Sequence, residues 1–236
     1  MRLIVLCGGF GTRLRSSIGE VQKSLAPVGE NLFLGIQLDH WKKQGIKKFT
    51  FLLHYKYQDV IDYIEKKRRF GDLEHCEIDY ITEERPLGTG GAIKNAISSY
   101  PSEPEFLICN SDTWLKDGIK KMMNVKPNTI GVVSTEDTSR FGQILCNNRG
   151  MVVSFEEKGV NHLPGLINAG IYKLKHDFFL NYDKKIFSIE KLFEQKTNFK
   201  EFIYAEILHT EFIDIGIPAD YEKFLSSYKG KENVQK

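Results

Sequence analysis

The chain has 236 residues, of which 41% are hydrophobic and 27% charged, so it is long enough to bury a core without disulfide bonds. Lysine and arginine number 33, aspartate and glutamate 31, and the resulting net charge of +2 gives no overall basic field for nucleic acid or an anionic membrane. Any anion that the protein binds must therefore be held locally.

The cysteine spacing and the N-terminal sequence indicate the cellular compartment of the protein. Cys7, Cys76, Cys109 and Cys146 form no C-x-x-C pair, which argues against a zinc site or a redox motif. A run of five apolar residues precedes the first glycines, which is too short for a signal-peptide core or a membrane span. We therefore expect a reduced, cytoplasmic protein.

Strands alternate with helices along the first half of the chain. The sequence predicts strands at 2–7, 47–55, 76–83, 105–115 and 128–136. It predicts helices at 32–46, 57–71, 88–100 and 118–125. This alternation is typical of βαβ units and predicts an α/β fold, a Rossmann-like and mostly parallel sheet with helices on both faces.

The pattern changes between residues 140 and 175. It indicates a hairpin with a turn at 147–150 and one more strand at 165–174, which we assign to a small antiparallel insertion. A helix at 188–196 follows, then a strand, a loop and a final helix over 212–228. We expect a single domain over 1–228 and a charged, disordered tail over 229–236.

A glycine-rich turn leaves the first strand. Gly8, Gly9 and Gly11 would let backbone N–H groups approach a phosphate, and Arg13 adds a forked cationic donor. Ligands of open α/β sheets bind beyond the carboxyl ends of strands. The spacing matches neither a Walker loop nor a dinucleotide fingerprint, and a tight turn with incidental arginines is the alternative.

Several other residues indicate a nucleotide site only when they are considered together. A second glycine-rich turn at 84–93 again follows a strand and opens a helix, which suggests two walls of one nucleotide pocket. Asp112 ends an apolar strand and fits a helix cap when taken alone, whereas together with Asp214 it could hold Mg²⁺. Lys23 alone fits a solvated surface charge.

The ordered set of motifs resembles that of the sugar-1-phosphate nucleotidyltransferases. Their G-G-x-G-T-R-L run and later lysine match residues 8–14 and Lys23, and their E-x-P-L-G-T-[AG]-G-A segment matches residues 84–92. A G-D-[TS] motif, an E-K pair, an N-x-G turn and a late aspartate strand follow in order. Within the family, "FIDIGIPADY" and the compact length are most similar to the D-glycero-D-manno-heptose 1-phosphate guanylyltransferases.

The resemblance implies a fold of the nucleotide-diphospho-sugar transferase type and transfer of GMP from GTP to a sugar 1-phosphate. A phosphate monoester is already anionic near neutral pH, so the reaction needs charge neutralisation rather than a general base. By this resemblance Arg13 acts on the departing pyrophosphate, Lys23 contacts the α-phosphate, and Asp112 and Asp214 hold Mg²⁺.

The resemblance also implies the binding residues. Nucleotide contacts fall on Leu6, Gly8, Gly9, Gly11, Thr12, Glu84, Pro86, Gly88, Thr89 and Asp112. Sugar-phosphate contacts fall on Glu157, Lys158, Asn168 and Gly170. The alternative for the Glu157–Lys158 pair is an exposed ion pair of little consequence.

Three positions depart from the family pattern. Gln22 stands where a proline precedes the lysine, Ser24 stands where a proline often follows it, and Ser111 replaces the glycine before the aspartate. None of these departures removes a charged group. Ser111 adds a side chain where backbone usually approaches the nucleotide sugar.

Several alternatives stay open at this point. The acceptor could be mannose 1-phosphate, or the enzyme could transfer a uridylyl, thymidylyl or cytidylyl group. A non-catalytic nucleotide-sugar-binding regulator is disfavoured because Arg13, Lys23 and both aspartates are present, and a dehydrogenase would need the missing dinucleotide fingerprint. The expected partners are an NTP and a sugar 1-phosphate, with no nucleic acid and no membrane. A homo-oligomer remains open.

Overall fold

The structure, a computed structural model, describes residues 1–156 and 163–232, and side chains up to residue 228. The strands are β1 (Arg2–Cys7), β2 (Pro27–Val28), β3 (Asn31–Leu32), β4 (Lys48–Leu53), β5 (Glu77–Thr82), β6 (Glu105–Asn110), β7 (Thr113–Leu115), β8 (Thr129–Thr135), β9 (Gln143–Cys146), β10 (Val152–Glu156), β11 (Gly165–Lys175), β12 (Tyr204–Ile207) and β13 (Phe212–Asp214). The α-helices are α1 (Arg15–Ile18), α2 (Phe33–Lys43), α3 (Tyr57–Arg69), α4 (Gly88–Ser98), α5 (Ile119–Asn124), α6 (Ile189–Asn198) and α7 (Pro218–Glu232). Short 3-10 turns lie at Thr12–Leu14, Lys23–Leu25 and His176–Phe179.

Within the described part of the chain, the main sheet has seven strands in the order β12-β8-β11-β6-β1-β4-β5. All neighbours pair in parallel except β11, which runs antiparallel to both β6 and β8. The predicted α/β class with a mostly parallel sheet is confirmed. The edge strand β12, a four-residue element, is not among the predicted strands.

The position of β11 corrects the sequence-based assignment. We expected residues 165–174 to belong to an antiparallel insertion, but β11 lies in the middle of the main sheet. Its residues between Ile167 and Leu174 are mostly buried, as in a strand covered on both faces. The antiparallel insertion is therefore the hairpin β9–β10 alone, with its turn at Asn147–Gly150 as predicted.

The apolar run 105–115 also differs from expectation, because it forms two strands instead of one. The N–H of Ser111 donates to the carbonyl of Leu6 at 3.2 Å, which keeps the end of β6 beside β1. The next residue turns away, and the carbonyl of Asp112 accepts from the N–H of Ile215 at 3.0 Å. Strand β7 then pairs with β13 in a separate two-stranded sheet.

The core lies on both faces of the main sheet. In β1, Leu3 and Val5 join one buried cluster and Ile4 joins the other, as the continuous apolar run predicted. A third cluster anchors α7, where Phe224 packs 4.9 Å from Phe33 and 5.5 Å from Trp114 between ring centroids.

The last helix extends beyond residue 228, the predicted end of the domain. Helix α7 runs to Glu232, so residues 229–232 of the predicted disordered tail are helical, and residues 233–236 lie outside the described part. No helix of the described ranges is long and apolar enough to cross a membrane.

Candidate active site

The carboxyl ends of three parallel strands meet at one edge of the main sheet. Leu6 of β1 is in register with Leu52 of β4 and with Asn110 of β6. The glycine turn follows β1, His54 follows β4, and Ser111 and Asp112 follow β6. This edge is where ligands of open α/β sheets bind.

The first glycine turn is anchored by one buried residue and otherwise faces outward. Gly11 has φ +60°, and its carbonyl accepts from the N–H of Leu14, which is fully buried. Thr12 and Arg13 are exposed between these two residues. A Cβ at Gly9 would meet nothing within 4 Å, so the backbone there is open to a ligand.

Lys23 joins the two aspartates that the sequence singled out. Its Nζ lies 2.6 Å from Oδ2 of Asp112 and 3.5 Å from Oδ1 of Asp214, while the whole residue is 9% exposed. Asp112 follows β6 directly, and Asp214 is brought in by the pairing of β13 with β7. These charged groups from distant parts of the chain therefore share one site.

Asp214 is the more constrained of the two carboxylates. Burial raises its pKa above the ordinary value, and the charge of Asp112 adds to this, while Lys23 and the N–H of Gly216 oppose it. The Gly216 N–H donates to Oδ1 of Asp214 at 2.8 Å. A Cβ at Gly216 would lie 2.8 Å from that same oxygen, so the Asp214 carboxylate would have to move to admit one.

The donor set fits one kind of cation. Among residues 1–156 and 163–232, no cluster of three or more His, Cys, Asp or Glu side chains could hold a metal on its own. Two carboxylates with remaining exposure suit a hard divalent cation that takes its other ligands from phosphates and water. A structural zinc site would need four protein ligands.

The second glycine turn has a packing role that the sequence did not reveal. The N–H groups of Gly90 and Gly91 both donate to the carbonyl of Phe187, at 3.0 and 3.3 Å. The hydroxyl of Thr89 accepts from the N–H of Ile189 at 2.9 Å. These residues therefore join α4 to the start of α6, and Thr89 contacts the protein itself.

The remaining residues of that turn are free to face a ligand. Glu84 and Pro86 are exposed, and Gly88 has φ +71°. Their predicted nucleotide contacts stay predictions. Beside this turn, Glu83 is half-buried, and burial raises its pKa, while the Leu87 N–H donates to its carboxylate at 3.2 Å.

The N-x-G turn interrupts the pairing of β11 with β8. The Gly170 N–H donates to Oδ1 of Asn168 at 2.9 Å, and Nδ2 of Asn168 donates to the Tyr172 hydroxyl at 2.8 Å. Gly170 has φ +68°, and a Cβ there would lie 2.6 Å from Nδ2 of Asn110. Both polar groups of Asn168 are thus engaged within the protein, although the residue borders a cleft.

That cleft has a volume of about 580 Å³ and adjoins the Lys23 site through Asp214. Asn168 and Gly170 line it, as do polar side chains that sequence reasoning missed, namely Asn110, Gln143, Ser188, Glu190, Lys191 and Glu194. These side chains come from β6, β9 and from α6 with its N-cap residue, and no local motif could have brought them together. The predicted pair Glu157 and Lys158 lies outside the described residues, and β10 ends beside the cleft at Glu156.

Another group that the sequence did not single out borders the first glycine turn. The Phe10 ring lies 5.5 Å from the rings of both His54 and Tyr55, between centroids. Nδ1 of His54 lies 2.9 Å from the carbonyl of Glu83, which ties this residue to the end of β5. Phe10 is 48% exposed at the edge of the open turn.

A family model described as "Nucleotidyl transferase" matches residues 2–229. The chain belongs to the nucleotidyl transferase family. This nucleotidyl transferase is 36% identical over 228 residues to the D-glycero-alpha-D-manno-heptose 1-phosphate guanylyltransferase of Campylobacter jejuni, covering 95% of this chain and 99% of the relative. It is 34% identical to the enzyme of the same name from Aneurinibacillus thermoaerophilus, covering 94% and 96%.

Solved structures agree with the sequence relatives. The crystal structure of HddC from Yersinia pseudotuberculosis superposes on this nucleotidyl transferase with a TM-score of 0.82 and 33% identity, covering 96% of this chain and 99% of that one. A second HddC structure, complexed with GMP-PN, has a TM-score of 0.79. The family predicted from the motifs is confirmed.

Proposed function

We propose that this chain transfers GMP from GTP to D-glycero-D-manno-heptose 1-phosphate, forming GDP-heptose and pyrophosphate. The observation that carries the proposal is the contact of Lys23 with Asp112 and Asp214 at the carboxyl edge of the sheet, beside a cleft of about 580 Å³. Relatives of nearly equal length that are named heptose 1-phosphate guanylyltransferases support the nucleotide and the acceptor.

The chemistry needs positioning and charge neutralisation. A phosphate oxygen of the sugar 1-phosphate attacks the α-phosphorus of GTP, and the bond from that phosphorus to the β-phosphate oxygen breaks as pyrophosphate leaves. The attacking oxygen is already anionic near neutral pH, so no residue has to remove a proton. Bringing two anions together costs free energy, and fixed cationic and N–H donors offset that cost.

The residues divide this work. Lys23, held at the base of the site, contacts the α-phosphate, and exposed Arg13 offsets charge on the departing pyrophosphate. The backbone at Gly8, Gly9 and Gly11, which is most open at Gly9, offers N–H groups to the triphosphate.

Asp112 and Asp214 are the residues that would hold Mg²⁺. When bound there, the ion supplies positive charge to the phosphates of both substrates. A cation held there would share with Lys23 the balancing of the two negative charges, so that Lys23 could contact the substrate.

The cleft next to Asp214 takes the acceptor sugar. Its polar side chains, Gln143, Glu190 and Glu194 among them, offer hydrogen-bonding groups for sugar hydroxyls, and Phe155 offers an apolar wall. Asn168, Gly170, Glu157 and Lys158 remain proposed sugar-phosphate contacts from the family resemblance.

A second acceptor has one observation in its favour. The mannose-1-phosphate guanylyltransferase catalytic subunit beta of Drosophila melanogaster is 29% identical over 98% of this chain, although the alignment covers only 65% of that protein. Mannose 1-phosphate is therefore the competing acceptor.

The deciding experiment incubates the protein with each of four NTPs, Mg²⁺ and a panel of sugar 1-phosphates, and follows pyrophosphate release. We expect the highest kcat/KM with GTP and the heptose 1-phosphate, and no turnover in excess EDTA. A higher kcat/KM with mannose 1-phosphate would mean that mannose 1-phosphate, not the heptose 1-phosphate, is the acceptor. A higher value with UTP, dTTP or CTP would overturn the assignment of GTP as the nucleotide. Unchanged turnover in EDTA would overturn the metal assignment.

A further inference from the structure

The three departures from the family pattern meet around one buried residue. Burial raises the pKa of the Cys7 thiol, at the end of β1, and hydrogen bonding by the neighbouring side chains of Ser111 and Ser24 opposes that rise. Gln22 lies against the same strand end, where its Nε2 donates to the Cys7 carbonyl at 2.8 Å. All four residues are buried, with exposed fractions between 0% and 4%.

Gln22 and Ser24 are also bonded to each other across the lysine. Oε1 of Gln22 accepts from the Ser24 N–H at 2.6 Å and from the Ser24 hydroxyl. Lys23 stands between them at the start of a 3-10 turn that the Gln22 side chain caps. The glutamine amide therefore fixes the turn that carries Lys23 and ties it to β1.

The backbone at Gln22 shows what this arrangement replaces. Gln22 has φ −63°, the value to which a proline ring would lock this position. A proline would hold the turn through its ring and would have no side-chain partner. Here hydrogen bonds of the Gln22 side chain hold the same backbone shape, and they also connect it to the end of β1.

Ser111 completes the connection. It precedes Asp112, its N–H donates to the Leu6 carbonyl at 3.2 Å, and its side chain bonds to Cys7. The Lys23 turn and the Asp112 segment are thus bonded to adjacent residues of β1, Cys7 and Leu6, and 2.6 Å separates Lys23 Nζ from Asp112 Oδ2.

We infer that Gln22, Ser24 and Ser111 form with Cys7 one buried cluster of positioning residues that sets Lys23 against Asp112. The inference rests on the proposed function in taking Lys23 as the phosphate-contacting group. The cluster touches no substrate itself. Its work is to hold the lysine where the reacting phosphate arrives, because small misplacements of such a group lower the rate steeply.

The first test compares Gln22→Leu, Ser111→Ala and the double variant with Thr129→Val. Thr129 is a suitable control because its hydroxyl is equally buried and hydrogen-bonded, to the Lys126 carbonyl at 2.7 Å, but at the opposite end of the sheet. Gln22→Leu removes the three hydrogen bonds of the Gln22 side chain, and Ser111→Ala removes the Ser111 hydroxyl. Each single cluster variant is expected to lower kcat by about tenfold because Lys23 is held less firmly, with KM for GTP changed by less than about twofold.

The double variant measures coupling. It should lose less kcat than the product of the two single losses, because both substitutions loosen the same Lys23–Asp112 contact. Thr129→Val should lower Tm and leave kcat unchanged. Cys7→Ser, which keeps a hydrogen-bonding side chain, should retain kcat, and Cys7→Ala should lose it. Cluster variants that lower Tm but keep wild-type kcat would overturn the inference.

A second readout does not depend on turnover. Acetylation of the free protein by acetic anhydride, followed by mass spectrometry, reports the access of Lys23 relative to exposed Lys47. The cluster variants should label Lys23 several-fold faster than wild type, and Thr129→Val should not. If the wild type transfers no nucleotide but the cluster variants still label Lys23 faster, the proposed function is overturned and the positioning cluster stands. Unchanged labelling in the variants would overturn the cluster.

Discussion

The Nζ atom of Lys23 lies 2.6 Å from Oδ2 of Asp112, although the two residues are 89 positions apart in the chain. The same Nζ lies 3.5 Å from Oδ1 of Asp214. One lysine thus faces two carboxylates. The pKa of Asp214 is raised above its ordinary value, first by burial and then by the negative charge of Asp112. The effect of the Asp214 charge on the stability of the protein can be measured.

Without metal, Asp214→Asn should make the protein more stable at neutral pH. The folded wild type binds the Asp214 proton more tightly than the unfolded chain, so its stability falls as pH rises from about 3.9 through the raised folded pKa. The gain in Tm from asparagine, measured in EDTA, should therefore be larger at pH 7 than at pH 4. Asp183→Asn, at an exposed position, is the control. An equal gain at both pH values would contradict the prediction.

Alanine at Gly9 and at Gly11 should have different effects. A Cβ at Gly9 meets nothing within 4 Å, so Gly9→Ala should keep the wild-type Tm and raise the KM for GTP by on the order of tenfold, because it blocks approach of the triphosphate. At Gly11, φ is +60° and a Cβ would lie 3.2 Å from Cβ of Lys23. Gly11→Ala should therefore also cost about 1–2 kcal/mol of stability. A wild-type KM in Gly9→Ala would exclude this stretch of backbone from nucleotide binding.

Gly90→Ala tests the packing role of the second glycine turn. A Cβ at Gly90 would overlap the Phe187 ring, so the variant should lose about 1–3 kcal/mol of unfolding free energy in urea titrations. Ser98→Ala, exposed on the same helix, should stay within about 0.5 kcal/mol of wild type. An unchanged urea midpoint for Gly90→Ala would mean that α4 and α6 are not packed as the structure has them.

Arg13→Ala should lower kcat by about 10²–10³ without loss of stability, because charge on the departing pyrophosphate grows in the transition state and the residue is an exposed loop position. Arg13→Lys should recover only part, since an ammonium cannot make a forked contact. The Arg68→Ala/Arg69→Ala double variant removes exposed charges at the end of α3 and should keep kcat. Equal losses from both changes would exclude a special role for Arg13.

Much of the fold could be predicted because its strands are short apolar runs punctuated by glycines. The placement of β11 could not, since an apolar strand does not state which neighbours it pairs with, and its two partners were fixed only by tertiary contacts. The break after Asn110 was equally hidden, because "LICNSDTWL" reads as one run until Ser111 is bonded to β1 and Asp112 to Ile215, the residue after β13.

The candidate site, like the fold, could be predicted only in part. Motif order predicted that Lys23, Asp112 and Asp214 share a site, and the structure brings all three together. The sequence also marked Gln22, Ser24 and Ser111 as departures from the family, but it could not reveal that they contact the same cysteine. Hydrogen-bond partners across the sheet depend on register and on the path of loops, which no local pattern records.

The pairing of β7 with β13 determines when the candidate site is completed during synthesis of the chain. Lys23 and Asp112 emerge early, whereas Asp214 is 191 positions beyond Lys23 and reaches the site only through a strand near the end of the fold. Contacts between such distant segments form late in folding, because closing a long loop must precede them. A nascent chain that lacks β13 therefore lacks one of the two carboxylates proposed to hold the cation, and we expect it to transfer no nucleotide.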